Sequence, residues 1–316
     1  MASEHCIGCI LGTAVGDALG LPYEGISRRR ASRMFGSAER HRLFFGHGMV
    51  SDDTEQTCMV AQSMIDSGCD TDAFAQALAW RFRFWFLGLP AGVGLATLRA
   101  CMKLCIGFNP KYSGVFSAGN GPAMRAAVIG AGVDDMETLR SLVRASTRMT
   151  HTDPKAEYGA LAVALAANFA RQHESVSAEA YLDQLASLLG EDGKELISLL
   201  KAAGESVAKG ESTAIFADSM GQTKGVSGYV YHTVPVAIHA WLSHPRDYSK
   251  ALLAIIHCGG DTDSTGAIVG GIVGTAVGKK GIPAAWLNGL LEWPRTVIWM
   301  ETLGAQFASS IQSQRT

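Results

Sequence analysis

Two acidic clusters stand out: Ser51-Asp52-Asp53-Thr54-Glu55 and Gly260-Asp261-Thr262-Asp263-Ser264-Thr265-Gly266. Each falls where a loop gives way to a helix. A single carboxylate there is explained as a helix cap, facing the positive end of the helix dipole. That accounts for one acid per cluster. It does not account for the adjacent Asp52 and Asp53, or for Asp261 and Asp263 beside free hydroxyls. Gathered carboxylates repel one another unless a cation compensates them. Carboxylate and hydroxyl oxygens are hard donors, which favours Mg2+ or Mn2+ over zinc. No histidine–cysteine set at zinc spacing accompanies them. Four aspartates from two helix starts can hold a pair of such ions, roughly 3.5–4 Å apart. Isoprenoid synthases use a helical Asp-Asp-x-x-Asp/Glu motif. Here Glu55 follows Asp53 after one residue, so that spacing does not fit.

The elements that must carry these residues read as helices. The first runs from about Cys6 to Leu19 and stops before Pro22. A second opens at Ser51-Asp52-Asp53, with Asp52 and Glu55 spaced as a capping box. Helices follow over Thr71 to Phe86 and over Gly94 to Ile106, the latter closed by Gly107. A loop from Phe108 to Gly121 leads to Pro122 at a helix start. Asp134 and Glu137 form a second capping-box pattern, and Asp153-Pro154 opens a long helix to Arg171. Further helices are expected over 177–189, 194–203, 229–242 with a kink at Pro235, 248–257, 263–278 and 295–312. Gly221 to Gly228 reads as a loop. Gly266, Gly270, Gly274 and Gly278 are four apart, so they line one helix face and permit close backbone approach. Glycine costs a helix roughly 1 kcal/mol relative to alanine, so that helix needs tertiary packing and belongs at the centre. No convincing strand alternation, linker or repeat is present. The expectation is one all-α domain over residues 1–316.

Composition sets limits. Of 316 residues, 47% are hydrophobic and 18% charged, too apolar for disorder. A net charge of -2 gives no footprint for nucleic acid or an anionic membrane surface. The most apolar run, Gly266 to Gly278, falls short of a bilayer span, and no basic stretch precedes an apolar one at the start. No segment is therefore expected to cross a membrane. Seven cysteines, an odd number, point to reduced thiols and a cytoplasmic location. Cys6 and Cys9 lack a second pair or a βαβ context, so they read as buried helix residues, as do Cys101 and Cys105.

The sequence resembles the ADP-ribosylglycohydrolases, an all-α family that includes the dinitrogenase-reductase-activating enzymes. The likeness starts at Gly8-Cys9-Ile10-Leu11-Gly12-Thr13-Ala14-Val15-Gly16-Asp17-Ala18-Leu19-Gly20 and Glu24. It runs through Ser51-Asp52-Asp53-Thr54, Gly119-Asn120-Gly121-Pro122-Ala123-Met124-Arg125 and Thr150-His151. It closes with Gly259-Gly260-Asp261-Thr262-Asp263-Ser264-Thr265-Gly266-Ala267, and Ile282-Pro283 near Trp286. The joint order of these motifs is specific where each alone is weak. The resemblance implies a cleft with two Mg2+ or Mn2+ ions that takes the distal ribose of ADP-ribose. The ligands it implies are Ser51, Asp52, Asp53, Asp261, Asp263 and Ser264. Glu24 matches an acid near the metals. Ser117, Gly119, Asn120 and Gly121 match a loop that cradles phosphates and ribose, and His151 matches a further contact. Without the resemblance, Gly119-Asn120-Gly121 is simply a turn and His151 a packed histidine.

The implied reaction is hydrolysis at the anomeric carbon of ADP-ribose through an oxocarbenium-like transition state. Glu24, Asp53 or another metal-bound aspartate such as Asp261 would serve in the acid–base steps. The expected substrate is a protein carrying ADP-ribosylarginine, the product of an ADP-ribosyltransferase. Alternatives are O-linked ADP-ribose on serine or a small metabolite, and a non-catalytic ADP-ribose-binding or toxin-immunity protein. Two departures stand out. Several bacterial relatives have Asp-Ile-Gly where this chain has Gly92-Val93-Gly94, and some have a tyrosine where it has Ala118. Phe116, Tyr229 or Tyr231 is then a candidate to stack on adenine. Asp17 reads either as a support for the metal ligands or as an acid bonded to a neighbouring helix start.

Overall fold

The computed structural model describes residues 2–90 and 92–313. Its helices of eight or more residues are α1 (Ala2–Gly20), α2 (Arg28–Phe35), α3 (Asp52–Ser67), α4 (Thr71–Leu87), α5 (Leu95–Cys105), α6 (Met136–Arg148), α7 (Pro154–Gln172), α8 (Ala178–Leu189), α9 (Lys194–Ala208), α10 (Val230–Ser243), α11 (Tyr248–Ile256), α12 (Thr262–Val277) and α13 (Val297–Ser313). Among the described residues, β pairing is limited to isolated bridges between loops. The fold is all-α, as the sequence predicts.

α12 lies at the centre, buried from Thr262 to Ala276. Its partner is α1, which runs antiparallel to it and carries a matching stripe: Gly8, Gly12, Gly16 and Gly20. A Cβ on Gly12 would stand 2.2 Å from the carbonyl oxygen of Gly270, and one on Gly16 would stand 2.1 Å from that of Gly266. Two backbones touch here with no room for a methyl group between them. Tyr248 Oη and Thr262 Oγ1 seal the contact by donating to the carbonyls of Gly12 (2.6 Å) and Gly20 (2.9 Å). The register places the start of α12 beside the end of α1, which puts Asp261 and Asp263 near Glu24. Apolar residues of most helices join one core cluster around this pair.

Several expectations need correction. Among the described residues, Ser3–Tyr23 is long and apolar enough to cross a bilayer, but 89% of an 18-residue stretch of it is buried within the fold. Its apolarity serves the core. The helix caps are Ser51 and Asp135, not Asp52 and Asp134. Ser51 Oγ accepts from Asp53 N and Asp135 from Thr138 N, while Asp134 pairs with Arg171. Adjacent acids offer two cap positions, and the sequence pattern picks the wrong one. Cys105, in the last turn of α5, is exposed, whereas Cys6, Cys9 and Cys101 are buried. The arginine-rich α2 and the short helix Thr213–Ser219 have too little apolar periodicity to be read from sequence.

The tight pair supplies a test with opposite signs. Gly270→Ala should lower stability by about 1–3 kcal/mol, because the methyl group meets a backbone carbonyl that cannot retreat. Gly204→Ala, inside α9 with 3.6 Å of clearance to Ala178, should raise it by roughly 0.5–1 kcal/mol. Urea unfolding midpoints of both variants check this.

Candidate functional site

A cavity of about 350 Å³ opens where α1 ends and α3 and α12 begin. Its acidic side is lined by Asp52, Asp53, Asp261, Asp263 and Ser264, with Glu24 at the rim. Its opposite wall is formed by Ser117, Gly119, Asn120, Gly121 and His151. All but one of the residues implied by the resemblance therefore share one cavity. The exception is Ser51, which does not line it. Ser51 caps α3 and donates from Oγ to Asp53 Oδ2 (2.9 Å), so it orients an acid of the site.

Each side is held in place by specific bonds. Asp17, fully buried on α1, accepts from Ser51 N (2.9 Å), Thr54 N (3.2 Å) and Thr54 Oγ1 (2.5 Å). It thereby fastens the first turn of α3 to α1. Gly259 and Gly260 adopt positive φ angles of 71° and 85°, where glycine carries no steric penalty. A Cβ on Gly260 would lie 2.1 Å from the carbonyl oxygen of Val226. That approach lets Gly260 bridge two loops, through Gly25 N to Gly260 O (2.8 Å) and Asp261 N to Val226 O (2.8 Å). On the far wall, Asn120 N donates to Gly228 O (2.9 Å) and Val230 N to Ala118 O (2.9 Å). Asn120 Nδ2 donates to Asp261 Oδ2 (2.7 Å) and joins the two sets of residues.

The electrostatics are those of crowded, dehydrated acids. Burial, then the charge of Asp263, pushes Asp53 well above the ordinary carboxylate range. Burial and Asp261 push Asp263 up to about 9. Burial raises Asp52 and Asp17 to about 7, and Glu24 is raised by burial and by Asp261. Burial and the charge of Arg125 drive His151 down to about 3, so it is neutral. Asp53 Oδ1 and Asp263 Oδ1 are buried without a hydrogen-bond partner. Such orphaned acceptors are costly unless something fills them. Among the described residues no three acidic, histidine or cysteine side chains are gathered closely enough to share one ion as they stand. The donor set, carboxylates and a hydroxyl with two oxygens unbonded, still suits a hard divalent cation.

A third wall holds Gly92 and Gly94, noted in the sequence only as a departure, and Leu95, Ala96 and Thr97, which sequence reasoning missed. These residues are small or apolar and carry no chemical signal. A Cβ on Gly92 would lie 3.6 Å from Asp52 Oδ1, so this position faces the site. Tyr231 is buried in the core, while Phe116 is 80% exposed next to Ser117. Glu55 turns away from the cavity, accepting from Trp85 Nε1 (2.6 Å) and Arg295 Nη1 (2.5 Å).

Because the folded protein holds the Asp263 proton more tightly than the unfolded chain does, cation-free stability should fall as pH rises from about 5 to about 8 at this group. Asp263→Asn should therefore stabilise the protein in EDTA at about pH 8, and the gain should shrink toward about pH 5. Equal urea midpoints for variant and wild type at both pH values would contradict this.

A sequence model described as ADP-ribosylglycohydrolase matches residues 2–316. An uncharacterised protein of Archaeoglobus fulgidus is 32% identical over 91% of this chain and 92% of its own. ADP-ribosylhydrolase ARH3 of Mus musculus is 26% identical over 96% and 92%. The ADP-ribosyl-[dinitrogen reductase] glycohydrolase of Rhodospirillum rubrum is 26% identical over 91% and 90%. A solved structure described as an ADP-ribosylglycohydrolase-related protein complex superposes with TM-score 0.71 at 26% identity, covering 98% of both chains.

Proposed function

The chain belongs to the ADP-ribosylglycohydrolase family, and on that premise we propose that it is a cation-dependent hydrolase that removes ADP-ribose from arginine side chains of a modified protein. One observation carries this reading: the acids of α3 and α12 line a single cavity together with Ser117, Gly119, Asn120, Gly121 and His151. The acidic side suits a sugar diol held through divalent cations, and the glycine-bearing wall lets backbone N–H groups approach phosphates.

Asp52, Asp53, Asp261, Asp263 and Ser264 would hold two Mg2+ or Mn2+ ions, with Ser51 steadying Asp53. When bound, the ions supply Lewis acidity toward the ribose hydroxyls and the attacking water. Asn120, bonded to Asp261, ties the ribose side to the phosphate side. Glu24 at the rim, its pKa raised by burial, is placed to exchange a proton with the attacking water or the leaving group. Asp53 is the alternative base, and Asp261 acts beside it. Departure from arginine leaves a guanidine that takes up a proton readily, which favours the N-linked substrate. The acceptor protein would be the target of an ADP-ribosyltransferase. Seven cysteines outside any disulfide favour a reducing, cytoplasmic setting.

Incubation with Mg2+ or Mn2+ and arginine- or serine-ADP-ribosylated protein tests this by measuring free ADP-ribose. Release from arginine is expected, with loss of at least about 100-fold in Asp263→Asn and in EDTA. Release from serine alone would move the acceptor assignment. Release from neither, with ADP-ribose still bound, would leave a binding protein.

Cation binding must also expel the protons that the raised carboxyls retain. Mn2+ affinity should therefore increase from about pH 6.5 to about pH 8, with proton release seen by calorimetry in buffers of differing ionisation heat. A pH-independent affinity would remove these carboxyls as ligands.

A further inference from the structure

Behind the cavity, Arg125 is fully buried. Nothing in the reading above uses it. Its guanidinium donates to neutral acceptors: Nε to Ser146 Oγ (3.1 Å), Nη2 to Ser146 O (2.9 Å) and Thr150 Oγ1 (2.7 Å), Nη1 to Gln56 Oε1 (2.7 Å) and Gly121 O (2.9 Å). Its plane lies over Phe82, with Cζ 5.3 Å from the ring centroid. Burying a cation without a directly bonded anion is expensive, so a purely structural strut would be better made from a neutral side chain.

The polarity of these bonds is informative because a guanidinium only donates. Gln56 must turn its carbonyl oxygen to Arg125. Its amide nitrogen is then committed to Asp52 Oδ2 (2.7 Å), which keeps that oxygen an acceptor. Thr150 Oγ1 accepts a hydrogen bond from Arg125, which leaves its own hydroxyl proton to donate. His151 Nδ1 lies 2.8 Å away, nearer than the carbonyl of Thr147 at 3.4 Å. When Nδ1 accepts, the ring proton of neutral His151 sits on Nε2. That nitrogen faces the loop, where a Cβ on Gly119 would lie 3.1 Å from it. The cavity wall thus gains an uncharged N–H donor suited to a phosphate or ribose oxygen.

We propose that Arg125 is a positioning residue that fixes the hydrogen-bond direction of both cavity walls, holding Asp52 as an acceptor through Gln56 and His151 as an Nε2–H donor through Thr150. The inference rests on reading the cavity as an ADP-ribose site, and its test separates the two.

The test uses wild type, Arg125→Lys, Thr150→Val and Gln56→Met. Protein labelled with ¹⁵N-histidine, in EDTA, reports the His151 tautomer by two-bond ¹H–¹⁵N correlation. Calorimetry gives ADP-ribose affinity without cations and Mn2+ affinity without nucleotide. Wild type should show His151 protonated at Nε2. Thr150→Val should mix or invert the tautomer and weaken ADP-ribose by about tenfold, the effect of one strong hydrogen bond. Gln56→Met should leave the tautomer alone and weaken Mn2+ by about tenfold. Arg125→Lys should do both. Thr150→Val and Gln56→Met each remove one arm, so the test stands even if Arg125→Lys does not fold. An Nδ1–H tautomer in wild type, or a folded Thr150→Val with unchanged tautomer and ADP-ribose affinity, overturns the role of Arg125. Failure of wild type itself to bind ADP-ribose with Mn2+ present as well as without it overturns the functional reading instead, and the tautomers of wild type and Thr150→Val then decide Arg125 alone.

Discussion

The structure depends on two helix backbones touching. α1 and α12 meet through facing glycines, with carbonyl oxygens filling the space a side chain would occupy. Contact this close fixes register as well as proximity, because Gly8, Gly12 and Gly16 face Gly274, Gly270 and Gly266, and Gly20 faces the backbone of Thr262. The register brings the last turn of α1 beside the first turn of α12. Asp17 then draws the first turn of α3 to the same point through backbone and hydroxyl donors. Two acidic helix starts, more than 200 residues apart in sequence, are placed side by side by packing and one buried carboxylate.

That placement goes against the electrostatics. Asp53 and Asp263 are buried beside other acids and would hold protons in preference to bare charge. Uncompensated oxygens in such a place are rarely kept by a structure that needs only to fold. The neutral wall opposite behaves differently. Its loops join by single backbone bridges, its histidine is uncharged, and its bonds to Gly228 and Ala118 leave glycine faces toward the cavity. One side is prepared for positive charge, and the other for the polar body of a ligand.

Much of this was legible in the sequence, and the reasons differ by residue. Asp52, Asp53, Asp261 and Asp263 were readable because acids in excess of capping needs are conspicuous in a chain of low charge. The stripe from Gly266 to Gly278 announced a close partner. That partner, Gly8 to Gly20, stood in plain view, but pairing two stripes is a tertiary fact that no local pattern encodes. Ser51 carried the right chemistry, and its hydroxyl both caps α3 and touches Asp53. Leu95, Ala96 and Thr97 carried no distinguishing chemistry and were found only by their place in the wall. α2 was missed because four arginines in eight residues leave almost no apolar face to read.

The meeting of α1 with α12 also bears on how the chain reaches its native state. α1 is made well before α12, and the central contact closes a loop of roughly 250 residues. Such non-local pairing is slow to form. On a ribosome adding about 5–20 residues per second, α1 waits on the order of tens of seconds for its partner. Throughout that interval a helix apolar enough to enter a bilayer lacks the surface that will cover it. The feature that gives the finished protein its centre is therefore the one that leaves the nascent chain most in need of protection from aggregation.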